Sequence, residues 1–559
     1  MTKRSFIQFN NFTFRYDSQR EPTLYDINLT IYEGEKVLIL GQSGSGKSTF
    51  MHCMNGLIPF SYKGEIQGEC IIMDKPSTSL SLFKIGQQLG SILQDSDAQF
   101  VALSVAEDVA FVLENQNFTK PVMVEKVKEA TSKVGMHDFL AQVPFQLSGG
   151  QKQKVALAGV LHDDVKGLLF DEPLASLDPQ SAKAAIELID ELHESGKTMI
   201  IIEHRFEDVL IKPVDRVVVM HEGRIVFDGD VDTLLKTRLC LRYGLREPLY
   251  LQALSTFKVK LDTQKIWHPL HSLRFPSFTL PAITYEEVVN HEEEVLRLNH
   301  VSFQYDERPL IKDVSFSIRR GERIALMGEN GAGKSTIAKL ASGILRPLSG
   351  NIHVKDQDIN GMSIAQIGLH IGYVMQNPNQ MIVKQSVEEE ILFALRLRHT
   401  DEAFIQERLL EVLIMTDLKS MRRWPVNALS YGQKKRLTVA SILALSPDVL
   451  ILDEPTAGQD YAHYTEIMSF LQSLHESTNL AFVFITHDMH LAMEYTDRAL
   501  VFSKGSLIYD GPTYKALSND ALLNQASLRP TSLLELATLS GHDPATLALH
   551  FIKEFNHGQ

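Results

Sequence analysis

Cysteine is scarce in this 559-residue chain, and the three present, Cys53, Cys70 and Cys240, lack the spacing of a metal-binding set. An odd, scattered set of cysteines argues against a disulfide framework and is typical of reduced thiols in a reducing compartment. Long apolar runs are also missing. No stretch of the sequence approaches the roughly 18–20 uninterrupted apolar residues that a membrane-spanning helix needs.

Basic charge is in deficit as well, with 55 Lys and Arg against 69 Asp and Glu. This balance argues against nucleic acid as the main partner, because phosphate neutralisation needs a basic footprint, although a local basic patch is compatible with the total. The start, MTKRSFIQFN, has two basic residues but no apolar segment behind them, so it does not predict a secretory signal. We therefore expect a chain that stays in the cytoplasm and crosses no membrane by itself.

What the chain does contain is an internal repeat. IQFNNFTFRY (7–16) matches LRLNHVSFQY (296–305), GQSGSGKST (41–49) matches GENGAGKST (328–336), LSGGQKQKVALA (147–158) matches LSYGQKKRLTVA (429–440), and GLLFDEP (167–173) matches VLILDEP (449–455). The order and spacing of these segments are kept, which indicates the duplication of one domain. The length also suits two domains of ordinary size.

The repeat predicts four segments: a first domain over 1–240, a linker over 241–294, a second domain over 295–525 and a C-terminal tail over 526–559. The linker has four prolines and no sustained helical period, so we expect little structure of its own. The apolar spacing of the tail indicates one or two short helices that pack onto the second domain.

The two glycine-rich loops follow apolar strands and have the pattern G-x-x-x-x-G-K-[ST], which is that of a phosphate-binding loop. Glycines let the backbone turn tightly, so that several N–H groups and the positive end of the following helix face a phosphate. Lys47 and Lys334 are expected to reach the β- and γ-phosphates of ATP, and the hydroxyls of Ser48 and Ser335 to ligate Mg²⁺. Two such loops in matched context make a chance turn negligible.

The repeated apolar strands LLFDEP and LILDEP end in adjacent carboxylates. Asp171 and Asp453 suit the Mg²⁺ shell, and Glu172 and Glu454 suit polarising the attacking water. A carboxylate pair at a strand end often only caps a helix, but here each strand is predicted to lie beside a phosphate loop.

LSGGQ (147–151) closely resembles the signature of the ABC ATPase family. The resemblance covers both halves and implies an α/β fold: two tandem phosphate-loop ABC-type ATPase domains, each with a mixed sheet core and a helical subdomain. It implies that the signature serine and glycines contact the γ-phosphate of ATP bound on the opposite domain. It also implies roles for Gln94 and Gln376 in a glutamine loop that senses metal and water, and for His204 and His487 as switches at the γ-phosphate.

The same resemblance assigns Asp178 and Asp460 to a loop that crosses the domain interface, and Tyr16 and Tyr305 to stacking on adenine. The predicted catalytic residues are Glu172, His204, Glu454 and His487. The predicted nucleotide contacts are Tyr16, Gly41, Gly44, Gly46, Lys47, Ser48, Thr49, Gln94, Ser148, Gly149 and Gly150, and, in the second copy, Tyr305, Gly328, Gly331, Gly333, Lys334, Ser335, Thr336, Gln376, Ser430 and Gly432. The predicted Mg²⁺ ligands are Ser48, Gln94, Asp171, Ser335, Gln376 and Asp453.

In this family two such domains pack head to tail around two ATP molecules, so we expect an intramolecular sandwich. Site one would join Lys47 to Ser430, and site two would join Lys334 to Ser148. The second copy departs from the common pattern at Gln459 and at Tyr431, where the first copy has Gly149. Because a tyrosine lacks glycine's backbone freedom, site one is expected to be the slower, unless the ring points away from the phosphate.

The segments QDSDAQF (94–100), QNPNQM (376–381) and LSYGQKKR resemble the ATPases of energy-coupling-factor importers. This implies a chain at the cytoplasmic face of the cell membrane, peripheral to it, that energises a transmembrane coupling protein and a substrate-binding membrane protein. The cargo would be a vitamin, a vitamin precursor or a metal ion; the resemblance favours a vitamin, but the residues of this chain do not choose among them. Five acids follow the glutamines: Glu107, Asp108, Glu388, Glu389 and Glu390. They fit either a groove for basic coupling helices or an ordinary solvated helix face.

The alternative function is that of a twin ABC ATPase that acts on the ribosome or DNA. The linker is a poor match for such a protein, since it has six Lys and Arg against seven Asp and Glu.

Overall fold

The computed structural model describes residues 4–94, 96–161, 165–175, 177–280, 293–305, 308–398 and 401–558. They form two compact units. The first unit comprises Met1–Pro248, Leu261–Arg274 and Gly458–Ala462, and the second comprises Leu249–Lys260, Phe275–Ala457 and His463–Gln559. No helix in the described ranges combines the length and apolar character that crossing a bilayer requires.

The strands of the first unit form two sheets. The strands are β1 (Ser5–Tyr16), β2 (Leu24–Tyr32), β3 (Lys36–Gly41), β4 (Gly64–Ile72), β5 (Lys75–Pro76), β6 (Leu89–Ile92), β7 (Gly167–Asp171), β8 (Thr198–Ile202), β9 (Arg216–His221) and β10 (Arg224–Gly229). An antiparallel sheet has the order β2-β1-β4-β5, and a six-stranded sheet has the order β10-β9-β3-β8-β7-β6. The latter is parallel except for its β10 edge, so it is the predicted mixed sheet.

The strand sequences explain these two sheets. In β3 and β8 every residue is buried, as expected for parallel strands covered on both faces. In β1 buried and partly exposed residues mostly alternate, which suits a strand with one face on the core. The functional motifs lie at the carboxyl ends of β3, β7 and β8, which are neighbours in the sheet.

The helices of the first unit include the predicted helical subdomain. They are α1 (Lys47–Met54), α2 (Leu57–Phe60), α3 (Leu82–Gly86), α4 (Val105–Asn115), α5 (Lys120–Lys133), α6 (Gly149–Val160), α7 (Pro179–Glu194), α8 (Phe206–Val209), α9 (Val231–Lys236) and α10 (Leu239–Arg242). Helices α4, α5 and α6 pack against one another and form this subdomain. Ser104 caps α4 and Asp178 caps α7 by accepting hydrogen bonds from backbone N–H groups of the first turn.

The second unit repeats this architecture. Its strands are β11 (Glu294–Tyr305), β12 (Arg308–Arg319), β13 (Arg323–Gly328), β14 (Ser349–Val354), β15 (Gln357–Asp358), β16 (Ile371–Val374), β17 (Val449–Asp453), β18 (Ala481–Ile485), β19 (Arg498–Ser503) and β20 (Ser506–Pro512). The sheet orders are β12-β11-β14-β15 and β16-β17-β18-β13-β19-β20, with β20 the antiparallel edge. The α/β class and the tandem arrangement predicted from the repeat are therefore confirmed.

The helices α11 to α22 belong wholly or mainly to the second unit. They are α11 (Leu249–Thr256), α12 (Lys334–Ala341), α13 (Ile364–Ile367), α14 (Val387–Arg396), α15 (Glu402–Met415), α16 (Tyr431–Leu443), α17 (Tyr461–Thr478), α18 (Met489–Tyr495), α19 (Thr513–Leu517), α20 (Asp520–Gln525), α21 (Ser532–Ser540) and α22 (Pro544–Gly558). Helices α14, α15 and α16 share one apolar cluster, which includes Ile391, Leu409 and Leu437. This cluster is the core of the second helical subdomain.

The segment between the two repeats has more structure than its prolines indicate. Helix α11 packs against α21 and α22, and the Tyr250 N–H donates to the Ser532 hydroxyl at 3.1 Å. Phe278 stacks against Phe257 and His542, with ring centroids 5.6 and 4.7 Å apart. Part of the interdomain segment and the C-terminal helices therefore form one layer of the second unit.

Phe551 anchors this layer, since its side chain is fully buried in α22. Phe551→Ala is expected to destabilise the second unit by about 3–5 kcal/mol, because the lost apolar contact leaves a cavity. The control Leu539→Ala, at a side chain 45% exposed in α21, should change stability by less than about 0.5 kcal/mol. The free energy of unfolding of each variant is measured by urea titration, with hydrogen exchange in the second unit as the probe. A loss for Phe551→Ala as small as that of the control would show that α22 does not stabilise the unit.

Candidate functional site

The phosphate loop of the first unit runs from the end of β3 to the start of α1. Gly44 and Gly46 have φ of 77° and 98°, in the left-handed region that favours glycine. A Cβ at Gly41 would lie 2.5 Å from the carbonyl oxygen of Met220 on β9. The glycines are therefore required by backbone shape and by close packing.

Lys47 opens α1 and is 5% exposed. Its Nζ donates to the carbonyl oxygens of Gly41 and Gln42 at 2.7 and 2.8 Å, so it lies inside the curve of its own loop. Burial lowers the pKa of Lys47, and the negative charge of Glu172 opposes that shift. Ser48 and Thr49 follow in the first turn of the helix, whose N-terminal end attracts anions.

The second unit has the same loop between β13 and α12. Gly331 and Gly333 have φ of 83° and 98°, and Gly328 has φ of 146° with no room for a Cβ against the Phe502 carbonyl. Lys334 Nζ donates to the Gly328 and Glu329 carbonyl oxygens at 2.7 and 2.9 Å. Ser335 and Thr336 continue the first turn of α12.

The two predicted adenine-stacking tyrosines have different surroundings. The Tyr16 hydroxyl lies 3.1 Å from the Thr49 hydroxyl, and its ring meets Phe14 edge-on. It also meets Tyr62, which stacks in turn on His52. Tyr305, at the end of β11, is 46% exposed and meets Phe303 edge-on. The first unit thus holds its tyrosine close to α1, within a larger aromatic group.

In the first unit the Glu172 carboxylate contacts two other predicted site residues. Glu172 follows β7, and its Oε1 lies 2.8 Å from His204 Nε2. Its Oε2 accepts a hydrogen bond from Gln94 Nε2 at 2.6 Å. A carboxylate held between an imidazole and an amide is oriented, as a group that polarises water must be.

The second unit repeats the carboxylate–histidine pair, with His487 Nδ1 2.7 Å from Glu454 Oε1. Asp453 accepts hydrogen bonds from the Tyr373 hydroxyl at 2.7 Å and from Ser335. Two predicted metal ligands, Ser335 and Asp453, are therefore in contact.

The predicted metal site suits a cation on electrostatic grounds. Burial, and next the charge of Glu172, raise the pKa of Asp171 to about 6. Burial likewise raises the pKa of Asp453. A desolvated carboxylate next to a second carboxylate is stabilised by a bound cation, so the hydroxyl, carboxylate and amide groups present fit Mg²⁺.

Both catalytic-glutamate candidates have an unusual backbone. Glu172 and Glu454 have φ of 47° and 45°, in the left-handed region that non-glycine residues rarely adopt. Their N–H groups donate to the carbonyl oxygens of Ile202 and Ile485 on the neighbouring strands, at 2.8 and 2.9 Å. The sheet thus holds each glutamate in a strained conformation, which is frequent at functional sites.

The two signatures begin the helices α6 and α16. Ser148 caps α6 and forms a reciprocal capping box with Gln151, and Ser430 does the same with Gln433. Gly149 and Gly150 form the first turn of α6, where the second unit has Tyr431 and Gly432. Asp178, predicted to lie in the crossing loop, accepts two hydrogen bonds from Ser181 and so also caps α7.

Sequence reasoning missed three residues. Tyr373 contacts the metal-ligand candidate Asp453, and Lys435 Nζ donates to the carbonyl oxygens of Met375 and Gln376 at 2.9 and 2.6 Å. Glu203 is 1% exposed and accepts hydrogen bonds from the N–H groups of Leu174, His204 and Arg205, which shapes the turn that carries His204. Lys435 lies inside the matched segment 429–440 and Glu203 directly precedes His204, but no short pattern shows what they contact.

Three of the acids after the glutamines do not form the expected exposed surface. Asp108 accepts hydrogen bonds from the N–H groups of Val101 and Ala102, and Glu390, 6% exposed, accepts from those of Val383 and Lys384. Glu388 is paired with Arg422. Asp108 and Glu390 thus hold equivalent loops, whose side chains Val101, Leu103 and Val383 are 64, 82 and 64% exposed.

Comparison with known protein families gives two matches. Residues 24–175 and 311–457 match the family model described as ABC transporter, and residues 237–303 match one described as ATP-binding cassette cobalt transporter. The first match covers both phosphate loops and both signatures. The second covers the interdomain segment, which the residue patterns left unexplained.

Curated relatives match along the whole chain. A putative ABC transporter ATP-binding protein of Vibrio vulnificus (strain CMCP6) is 46% identical over 562 residues, covering 98% of this chain and 97% of the relative. Proteins of the same description from Lactiplantibacillus plantarum and Streptococcus pneumoniae serotype 4 are 45 and 46% identical, over 98 and 100% of this chain and 98 and 99% of theirs. A solved structure of cbiO1 from Clostridium perfringens, described as part of the ABC transporter complex cbiONQ, is 30% identical with a TM-score of 0.40, covering 44% of this chain and all of that chain.

Proposed function

Because this chain belongs to the ABC transporter family and is an ATPase, we propose that it is the energy-coupling subunit of a membrane importer and that it drives uptake by closing on two ATP molecules. The observation that carries the proposal is the duplicated site: each unit has a phosphate-loop lysine, a strand-end carboxylate and a glutamate oriented by a histidine. A protein with two complete hydrolytic sites is suited to work that needs repeated ATP turnover.

In the proposed mechanism the phosphate loops bind ATP and the glutamates act on water. Lys47 and Lys334, bonded to loop carbonyls, would turn their Nζ groups to the phosphates that the helix N-termini attract. Ser48, Gln94 and Asp171, and in the second unit Ser335, Gln376 and Asp453, would hold Mg²⁺. When bound, Mg²⁺ neutralises charge on the phosphate oxygens and orients the γ-phosphate.

Glu172 is proposed to accept a proton from the attacking water while His204 and Gln94 fix its two carboxylate oxygens. Its contacts at 2.8 and 2.6 Å leave little rotational freedom, so the carboxylate needs no reorganisation during the reaction. Glu454 and His487 would act in the same way in the second unit.

We further propose that Ser430 faces the nucleotide of the first unit, forming site one, and that Ser148 faces that of the second unit, forming site two. The support is chemical: both signatures are helix N-termini with a capped serine, which is a suitable end to approach a γ-phosphate. ATP would hold the pair closed, and hydrolysis would release it.

A transmembrane coupling protein and a substrate-binding membrane protein are the proposed partners, and the chain would be peripheral at the cytoplasmic face. A groove of about 1120 Å³ in the first unit supports a docking role. Its wall is rich in neutral amides, from Gln87, Gln88, Gln99, Asn115, Gln116 and Asn117, with Phe83 and Phe118 beside them. Such a wall suits an amphipathic coupling helix of modest charge rather than a strongly basic one.

The cargo would be a vitamin, a vitamin precursor or a metal ion, and the match to a cobalt-transporter model supports a metal ion.

The partner class is tested by purifying the tagged chain from detergent-solubilised membranes of its own cell. We expect polytopic membrane proteins in stoichiometric amounts, and their loss with Leu103→Glu combined with Val383→Glu, because these exposed side chains flank the glutamine loops. Leu539→Glu, on the exposed side of α21, is the matched control and should retain them. Co-sedimentation with ribosomes, without any membrane partner, would support the ribosome-acting alternative instead.

A further inference from the structure

The second unit holds its glutamine loop, residues 375–380, from one side by the helix that starts at its signature. The Tyr431 hydroxyl donates to the Gln376 carbonyl oxygen at 3.1 Å. Lys435, one turn later on α16, donates to the same oxygen at 2.6 Å and to the Met375 carbonyl at 2.9 Å. Between them on the helix, Lys434 donates to the Asn379 side chain at 3.1 Å. Side chains from two turns of α16 thus donate hydrogen bonds to one short loop. The contacts of Tyr431, Lys434 and Lys435 with this loop are called the grip.

Lys435 is unusual among these donors because it is only 3% exposed. A buried ammonium group must be satisfied by fixed acceptors, and the loop carbonyls supply them. Hydrogen bonds from charged groups are about twice as strong as neutral ones. The lysine therefore fixes the loop backbone more firmly than a solvent-exposed contact would.

In the part of the first unit that the structure describes, the contacts of Tyr431 and Lys435 have no counterpart. The positions equivalent to Tyr431 and Lys435 are Gly149, which has no side chain, and Gln153, whose Nε2 donates to the Pro173 carbonyl after β7. Gln94 instead uses its side chain to contact Glu172. The two units therefore hold equivalent glutamines by different means: one by its catalytic carboxylate, the other by its signature helix.

We propose that Tyr431 and Lys435 are positioning residues that make α16 and the second-unit glutamine loop move as one body, so that the state of the Ser430 signature is passed to the Gln376 site. This inference rests on the proposed function, in which Ser430 faces site one and Gln376 serves site two. The link then couples the two ATP sites through the second unit, and its Tyr431 and Lys435 contacts have no counterpart among the described residues of the first unit. The hydroxyl of Tyr431 acts at its own unit's glutamine, so its loss affects site two, and not site one as the signature position alone predicts.

The grip itself is tested by hydrogen exchange of the full chain without nucleotide. In Tyr431→Phe the amides of residues 371–381 should exchange about fivefold faster, and in Lys435→Gln at least about tenfold faster, because a neutral and a charged hydrogen bond are lost. Tyr509→Phe is the matched control, since it removes a hydroxyl bond of the same 3.1 Å length to a backbone carbonyl, that of Pro512. Unchanged exchange at 371–381 in both variants would overturn the proposal.

The coupling is tested by steady-state hydrolysis with one site inactivated. With Glu172→Gln only site two turns over, and adding Tyr431→Phe or Lys435→Gln should lower its kcat about fivefold with little change in KM, because loop position and not nucleotide affinity is altered. With Glu454→Gln only site one turns over, and the same changes should leave its kcat within twofold. Equal loss at both sites, or loss at site one alone, would overturn the coupling.

These two experiments separate the inference from the function on which it rests. If the units do not share their sites, Ser430→Ala will fail to slow the Glu454→Gln protein, whatever the exchange data show. Faster exchange at 371–381 combined with that failure would support the grip and contradict the sandwich. Normal exchange combined with a slowed Ser430→Ala protein would contradict the grip and support the sandwich.

Discussion

Replacing Lys47 and Lys334 together by alanine is expected to abolish ATP hydrolysis. Each lysine is buried within its phosphate loop, and its Nζ donates to two carbonyl oxygens of that loop, so it lies beside the backbone that binds the phosphates in the proposed mechanism. Removing one preorganised charged donor at developing negative charge costs at least about 100-fold in rate. Release of inorganic phosphate by the purified chain with Mg·ATP measures the effect.

The single variants separate the contributions of the two sites, and a surface variant serves as the control. Lys47→Ala and Lys334→Ala alone should each lower the rate to that of the remaining site, and lower it further if the sites depend on each other. Lys183→Ala, at a side chain 55% exposed on α7, should leave the rate unchanged. A double variant that hydrolyses ATP at near the wild-type rate would refute the assignment of both phosphate loops.

Replacing Glu172 and Glu454 together by glutamine is expected to stop turnover but to keep ATP bound. Glutamine has the same shape and keeps one oxygen for the contact with the histidine, but it cannot accept the proton of the attacking water. General-base catalysis of this kind contributes about 10²- to 10⁴-fold. Since neither glutamate binds a phosphate in the proposed mechanism, affinity for ATP should be retained.

Without hydrolysis the ATP-bound chain should accumulate in a closed, more compact state. Small-angle scattering with and without ATP measures this as a fall in the radius of gyration of the double variant. Glu187→Gln, on an exposed face of α7, controls for the loss of a charge on the surface. If nucleotide is bound in the double variant and the radius does not fall, the intramolecular sandwich is wrong.

Most of the local machinery is predictable because its motifs specify backbone shape over a few residues. The phosphate loops have glycines at positive φ followed by a helix, as their pattern predicts, and both DE pairs lie at the ends of buried parallel strands. The mixed sheet and the helical subdomain follow from the family resemblance and are present in both units. The roles assigned to individual site residues remain predictions.

What the sequence did not predict depends on contacts between distant segments. In the sequence Tyr373 is an ordinary aromatic residue of a strand, and Lys435 is an ordinary lysine of a helix. Only the fold shows that Tyr373 contacts Asp453 and that Lys435 contacts Gln376. The acids Asp108 and Glu390 give the pattern of a solvated helix face, but each bonds the backbone of a preceding loop. The difference between Gln94, bonded to Glu172, and Gln376, held by its backbone, is likewise invisible in two matching motifs.

The segment that joins the two repeats alternates between the units: Leu249–Lys260 groups with the second and Leu261–Arg274 with the first. In the latter stretch Trp267 is 5% exposed, its backbone N–H donates to the Asp232 carboxylate, and the Arg238 guanidinium lies over its ring. In the former, α11 packs on the C-terminal helices. No single cut in the gene between the repeats would therefore give each product all of its own parts. A cut before residue 249 removes the Trp267 segment from the first product, and a cut after residue 274 removes α11 from the second. Encoding the two halves as separate proteins would therefore require a changed C-terminus of the first product or a changed N-terminus of the second.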